Sequence, residues 1–334
     1  MSSFWIFLLV IMAVIVVIGI VYVATRYARE IRAARRRLDS LGSQVIETAY
    51  GPVEYARIGE GDPLLVVHGA LGGFDQGLFL ARSIDAPTSQ IISVSRFGFL
   101  RSPVPLDATL DTQADAYAAL LDALEIRRAA VFAVSAGSTS AIRFAARHPQ
   151  RVSALILMGP DAPGETYMAL PPRFMSHILF GSDFVYWAMI HCFGRKLQIA
   201  TGLVPKGYPL TPEYAALVSQ VQTGSLPVSR RRNGWDFETY TCAKEFWASV
   251  TPASPYPLFK IETPVLVIMA EDDPISFPAN ARALAEQMPN ARLYVVPDGG
   301  HFLFGHADEV RAEVARFLGS HKVEPQETTA LAVS

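Results

Sequence analysis

From about residue 45 onward, short apolar runs recur along the chain with helical stretches between them. Val53 to Ile58 alternates in the manner of a strand, and Leu64 to Val67, Ile91 to Val94, Ala130 to Val134, Ala154 to Met158, Val265 to Ala270 and Leu293 to Val296 are compact apolar runs. Strands that are apolar on both faces belong to a sheet covered on both sides, as parallel sheets are. The gaps supply the covering helices. Thr109 to Leu124 places Leu110, Ala114, Tyr117, Leu121 and Leu124 at spacings of three and four. Ala136 to Arg147 is rich in small helix formers until Pro149, and Ala279 to Met288 and Asp308 to Leu318 also read as helices. The alternation predicts an α/β chain with a mostly parallel sheet, crossover helices and a core formed by residues 45–160 and 263–320.

Residues 161–262, about 102 in number, break the alternation with no comparable strand-like run. They are expected to form an inserted helical cap. Phe174, Met175, Ile178, Leu179, Phe180, Phe184, Tyr186, Trp187, Met189 and Phe193 fall largely at helical spacing within it. Such residues either pack the cap on the sheet or line an acyl pocket, and different faces can do both.

Ahead of the alternating region, residues 4–24 are unbroken apolar sequence, about 21 residues long, enough to span the roughly 30 Å hydrocarbon core of a bilayer. Arg26, Arg29, Arg32, Arg35, Arg36 and Arg37 follow, and no Lys or Arg precedes. A single transmembrane helix with its carboxyl-terminal flank and the following domain in the cytoplasm is the expectation. A cleavable signal peptide is the rival, disfavoured by the length of the run, the lack of a basic amino end and the absence of a small-x-small cleavage site. Residues 25–44 are expected to be a juxtamembrane linker or helix, and residues 321–334 a flexible tail.

Composition narrows the function classes. The chain has 334 residues, a formal net charge of -2, and 51% hydrophobic against 18% charged residues, which points away from a disordered chain and from electrostatic binding of nucleic acid. Cys192 and Cys242 stand far apart with no CxxC or Cys/His pattern, so neither a disulfide framework nor a zinc site is expected.

The candidate chemistry lies at strand ends. Ala133-Val134-Ser135-Ala136-Gly137 puts a serine between a buried strand and a helix, in the manner of a nucleophile elbow, where the residues two before and two after must be small. Ala133 replaces the more usual glycine of GxSxG. Neither GxGxxG nor GxxxxGK[ST] spacing is present, which argues against a phosphate loop. A serine hydroxyl needs a base, and His301 follows the last strand in Pro297-Asp298-Gly299-Gly300-His301, where a loop can lower an imidazole over the sheet edge. His68, His148 and His306 are expected to be structural. The base needs an orienting carboxylate; Asp273, just before Pro274 at the end of a strand, is chosen, with its neighbour Asp272 as the alternative. Oxyanion donors are expected from the backbone amides of Ala136 and of Ala70, or else Leu71, in His68-Gly69-Ala70-Leu71-Gly72-Gly73. Arg96 and Arg101 lie near the expected site and are expected to support the loop rather than meet substrate charge.

HGALGG at His68, SRFGFLRSP at Ser95, AVSAGS at Ala133, AEDDP at Ala270 and GGHFLFGH at Gly299 together make the chain resemble the α/β-hydrolases with a cap domain, over about Tyr50 to Leu318. The SRFGFLRSP and VSAGS stretches look like those of bacterial esterase- or lipase-type hydrolases. The resemblance implies an eight-stranded sheet with the cap inserted after the sixth strand, the chain order Ser, Asp, His, and hydrolysis through an acyl-enzyme with no cofactor and no metal. It does not fix the bond cleaved. A membrane-anchored serine hydrolase of an apolar acyl ester or lipid-like substrate leads. The alternatives are hydrolysis of an amide, lactone, thioester or carbon–carbon bond with the same residues, or a non-catalytic binding protein of the same fold.

Overall fold

In the computed structural model the described residues are 3–84, 89–163, 171–242 and 258–321. The tail expected at 321–334 lies outside them, apart from its first residue. Eight strands form one sheet: β1 (Gln44–Thr48), β2 (Gly51–Ile58), β3 (Asp62–Val67), β4 (Ser89–Val94), β5 (Ala129–Val134), β6 (Val152–Met158), β7 (Val265–Ala270) and β8 (Ala291–Val296). Their order is β1-β2-β4-β3-β5-β6-β7-β8. The β1–β2 and β2–β4 pairs are antiparallel and the rest parallel.

The strands sort their side chains between two cores because successive residues point to opposite faces. Leu65, Val67, Val131, Ala133, Val265 and Val267 share one core with α3 (Leu110–Ala123), α4 (Gly137–Arg147) and α9 (Pro278–Gln287). Leu64, Val66, Phe132, Leu266 and Ile268 share the other with α2 (Phe74–Ser83) and α10 (Ala307–Ser320). Thr109 starts α3 with a capping box closed on Thr112.

Between β6 and β7 the described residues are helical: α5 (Arg173–Gly181), α6 (Asp183–Ala200), α7 (Pro212–Gly224), α8 (Arg232–Phe237) and a π-turn at Glu238–Cys242. The expected division of the aromatic residues of this insertion between packing and pocket lining is incomplete. Tyr186 and Trp187 are buried, but Phe174, Met175, Ile178, Phe184 and Phe193 are exposed. The buried pair packs neither on the sheet nor in a pocket but on α1, because Ile31 and Ala34 complete their cluster.

Helix α1 (Ser3–Ser40) is a single helix of 38 residues, long and apolar enough near its start to cross a membrane. Of the two forms expected after the apolar run, the helix is found. Its last turns dock on the folded part through Ile31, Ala34 and Leu38, spaced for one helical face. Trp187 Nε1 donates to Glu30 Oε2 (2.8 Å), and Arg37 donates to the carbonyls of Gly224 (2.7 Å) and Leu226 (3.3 Å).

Asp75, in the first turn of α2, gathers three parts of the chain. Both its oxygens accept from Arg231 of the insertion (3.0 and 2.8 Å), and Oδ2 also accepts from Arg37 of α1 (3.3 Å). Arg231 is 0% exposed and further donates to Gly72 O (2.5 Å). Removing one partner of a buried ion pair leaves the other charge uncompensated, at a cost of about 3–5 kcal/mol. Asp75→Ala is therefore expected to lower unfolding stability by about that amount, read from the denaturant midpoint. A loss under about 1 kcal/mol would mean that the pair behaves as a surface contact.

Candidate active site

The parallel register fixes where the site residues emerge. Val67 of β3 lies opposite Ala133 of β5, and Val134 opposite Met158 of β6, so the turns after these strands meet at one edge of the sheet. Ser135 sits on the turn after β5 with φ 53°, a left-handed conformation costly for a residue with a side chain. Its amide donates to Met158 O (3.1 Å), and its own carbonyl accepts from Ser138 N (2.9 Å).

The turn is tight because its neighbours are small. A β-carbon on Gly137 would run into the His68 carbonyl and come within 2.8 Å of Val67 O, both backbone atoms. One on Gly69 would lie 3.3 Å from Ser135 Cβ. Ala133 is fully buried, so the methyl that departs from GxSxG is accommodated.

His301 and Asp273 meet. His301 Nδ1 donates to Asp273 Oδ2 over 2.9 Å, both side chains being buried. Asp273 Oδ1 accepts from the amides of Ile275 (2.8 Å) and Ser276 (3.1 Å), which hold the carboxylate still. Burial raises the Asp273 pKa, but the charge and hydrogen bond of His301 and the two amides outweigh it, and the carboxyl ends below its ordinary value. Burial likewise depresses His301, yet the charge of Asp273, the hydrogen bond to it and the charge of Asp161 leave the imidazole above its ordinary 6.5. The alternative acid, Asp272, turns elsewhere: its Oδ1 accepts from Gly300 N (2.8 Å).

Ser135 and His301 converge on the end of β6. Gly159, next after the carbonyl that holds Ser135, lies against the His301 ring, where a β-carbon would stand 3.0 Å from Cε1. Among the described residues no hydrogen bond joins Ser135 Oγ to His301; in unliganded sites this contact is often long and shortens when substrate binds.

Ala70 and Ala136 lie on the two apposed turns, and among the described residues neither amide donates to another protein group. Leu71 packs into the α1–insertion cluster. His68 is fully buried, with Nδ1 donating to Gly69 O (2.8 Å) and Nε2 accepting from Arg96 N (3.2 Å). Burial and the Arg96 charge hold it well below 6.5, hence neutral. Arg96 supports the same loop, as expected, by donating to Gly69 O (3.0 Å). Arg101 donates to Glu54 (2.7 Å) and to Ser43, which braces the loop after β4. His148 pairs with Asp115 (2.7 Å) and His306 with Asp298 (2.8 Å) and Glu309.

One residue here has no counterpart among the sequence expectations. Glu238, in the insertion, forms an ion pair with buried Arg96, and burial pushes its carboxyl up to about 7 despite the Arg96 charge. No local motif marks it; its partner is 142 positions away. Among the described residues no group of three or more His, Cys, Asp or Glu side chains is placed to hold a metal ion.

Gly137→Ala is expected to displace the turn carrying Ser135 and the Ala136 amide. With Ala136 as the expected oxyanion donor, whose loss costs on the order of 10²-fold or more, labelling of Ser135 by a fluorophosphonate is expected to slow by about that factor. Gly319→Ala, whose added carbon meets nothing within 4 Å, serves as the control with unchanged labelling.

Comparison with known proteins identifies the fold. The sequence profile described as alpha/beta hydrolase fold matches residues 62–307. A poly(3-hydroxyalkanoate) depolymerase of Ectopseudomonas oleovorans is 29% identical over 212 residues, covering 60% of this chain and 64% of the depolymerase, just under two thirds of its length. A 2-hydroxy-6-oxononadienedioate/2-hydroxy-6-oxononatrienedioate hydrolase of Burkholderia vietnamiensis is 26% identical over 80% of this chain and 90% of its own. An alpha/beta hydrolase fold protein of known structure from Nakamurella multipartita superposes with a TM-score of 0.66 at 30% identity, over 83% of this chain and 99% of the other. With its profile match spanning most of the sheet and the insertion, the chain belongs to the alpha/beta hydrolase fold family.

Proposed function

We propose that the protein is a membrane-anchored serine hydrolase that cleaves an ester with an apolar acyl group, using Ser135, His301 and Asp273 as a catalytic triad. The observation that carries the reading is the buried His301–Asp273 hydrogen bond at the strand-end edge where Ser135 is held with positive φ. The depolymerase relative supports an ester, since a poly(3-hydroxyalkanoate) is a polyester.

The chemistry follows from the groups present. Ser135 Oγ attacks the ester carbonyl carbon while His301 Nε2 takes its proton, and Asp273 stabilises the imidazolium. The amides of Ala70 and Ala136 donate to the oxyanion. His301 returns the proton to the leaving alkoxide, leaving an acyl-Ser135. Water then gives a proton to His301 and its hydroxyl to the acyl carbon, and His301 passes the proton to the departing Ser135 Oγ, which releases the acid and restores both residues. Arg96 is a positioning residue, holding Gly69 O and His68 so that the Ala70 amide keeps its aim. The insertion acts as a cap whose Glu238 reaches Arg96. In this reading helix α1 is the anchor, and the arginines after its apolar part favour a hydrolase domain on the cytoplasmic side. A second reading keeps the residues and changes the bond, and the hydrolase relative from Burkholderia vietnamiensis, by its name, favours a diketone-type acid as substrate.

Chromogenic esters of rising acyl length separate the readings: turnover is expected to rise with chain length and to fall by on the order of 10⁴-fold or more in Ser135→Ala. Equal turnover in that variant would remove the mechanism. Activity should also depend on pH in a defined direction. His301 accepts a proton only when neutral, and its pKa is raised, so kcat/KM is expected to rise through a midpoint above 6.5. Asp273→Asn removes the charge that raises it; the midpoint should move down and the rate drop roughly a thousandfold or more.

A further inference from the structure

Several large apolar side chains of the insertion are exposed, although the sequence pattern would bury them. Phe174 (67% exposed), Met175 and Ile178 (58%) project from one side of α5, and Phe184 from the start of α6. Scattered exposed apolar residues need no explanation, but a concentration of this kind marks an interaction surface.

Helix α1 says what covers it. At 1.5 Å per residue, Tyr27 lies about 5 Å beyond the apolar run that ends at Ala24, and Ile31, the first buried docking residue, about 10 Å beyond. The headgroup layer is about 5–7 Å thick on each side of the hydrocarbon core. Tyr27 therefore falls within that layer, and its ring meets those of Phe184 (5.2 Å) and Trp187 (5.6 Å) of the insertion. Aromatic side chains favour this depth. Arg29, Arg32 and Arg36 are exposed at helical spacing on α1 and suit anionic headgroups.

We propose that the outward apolar face of α5 and α6 seats in the bilayer surface beside the anchor, so that the insertion is a second, monotopic membrane contact. The inference rests on the anchoring reading of α1 and extends it. The occupant is the lipid surface because Phe184, exposed at the start of the helix that follows α5, meets Tyr27 just beyond the apolar span. The contact also brings lipid close to the site. Ser176 of α5 is bonded to Tyr240 (2.6 Å) and to Trp235 (3.2 Å), and the same segment carries Glu238, the partner of Arg96. The proposed contact is thus tied, through the segment bonded to Arg96, to the loop carrying Ala70, and hydrolysis of an ester held in lipid is expected to depend on it.

Nitroxide depth measurements on the full chain in vesicles of phosphatidylethanolamine and phosphatidylglycerol test this. Single labels at Val16→Cys, Phe174→Cys, Ile178→Cys and Asp308→Cys, with Cys192→Ser and Cys242→Ala as background, are compared for collision with oxygen and with a water-soluble nickel chelate. Positions 174 and 178 are expected to favour oxygen as position 16 does, and position 308 to favour the chelate. Lipid exposure at 16 with water exposure at 174 and 178 overturns the second contact and leaves the anchor standing; water exposure at 16 removes both. In Phe174→Glu/Ile178→Glu, hydrolysis of a long-chain ester dissolved in the vesicles should fall about tenfold, with a short soluble ester cleaved at the unaltered rate. An equal fall for both esters would place the two residues in the fold of the site rather than on lipid.

Discussion

The close approach of two backbone turns, after β3 and after β5, is the constraint on which the site depends. Gly137 has no room for a side chain against the carbonyls of Val67 and His68, and a β-carbon on Gly69 would crowd Ser135 Cβ at 3.3 Å. Because β3 and β5 are adjacent and parallel, the two turns leave the sheet side by side. Their free amides, Ala70 and Ala136, therefore lie on adjoining turns beside one serine without any side chain being needed to place them. The positive φ of Ser135 is the strain that this packing imposes and sustains.

Buried charge holds the surroundings of that constraint. Arg96 and Arg231 are both almost fully buried, and each joins the insertion to the loop that follows β3. Arg96 links Glu238 to the Gly69 carbonyl; Arg231 itself belongs to the insertion and donates to the Gly72 carbonyl and Asp75. Such pairs add little net stability over apolar packing, but they penalise any arrangement that separates the partners. The insertion and the loop after β3 are thereby kept in one register.

Much of this was legible in the chain because the informative signals are local. Six of the parallel and antiparallel strands are compact apolar runs, and Ser135, Asp273 and His301 each directly follow one or lie in a loop after one. The structure brings Asp273 and His301 together and turns Asp272 to Gly300, a choice between neighbours that only the loop's hydrogen bonds decide. Strand β1 escaped notice because it is an exposed edge with little apolar content. Helix α2 was hidden by Gly77, which interrupts its helical pattern and is there because Ser93 of β4 packs directly against it. Glu238 and Arg231 were invisible for a different reason: their partners are 142 and 156 positions distant, and no spacing rule reaches that far. The outward aromatic residues of α5 and α6 misled because helical periodicity reports an apolar face without reporting what it faces.

The uninterrupted course of α1, from Ser3 to its docking residues, couples the folded domain to the angle of the helix. A spanning helix adjusts to thicker or thinner hydrocarbon largely by tilting. Were α1 to span a bilayer as proposed, its unbroken course from Ser3 to Ser40 would pass such a tilt on to the docked domain, whose attitude would report the thickness of the membrane.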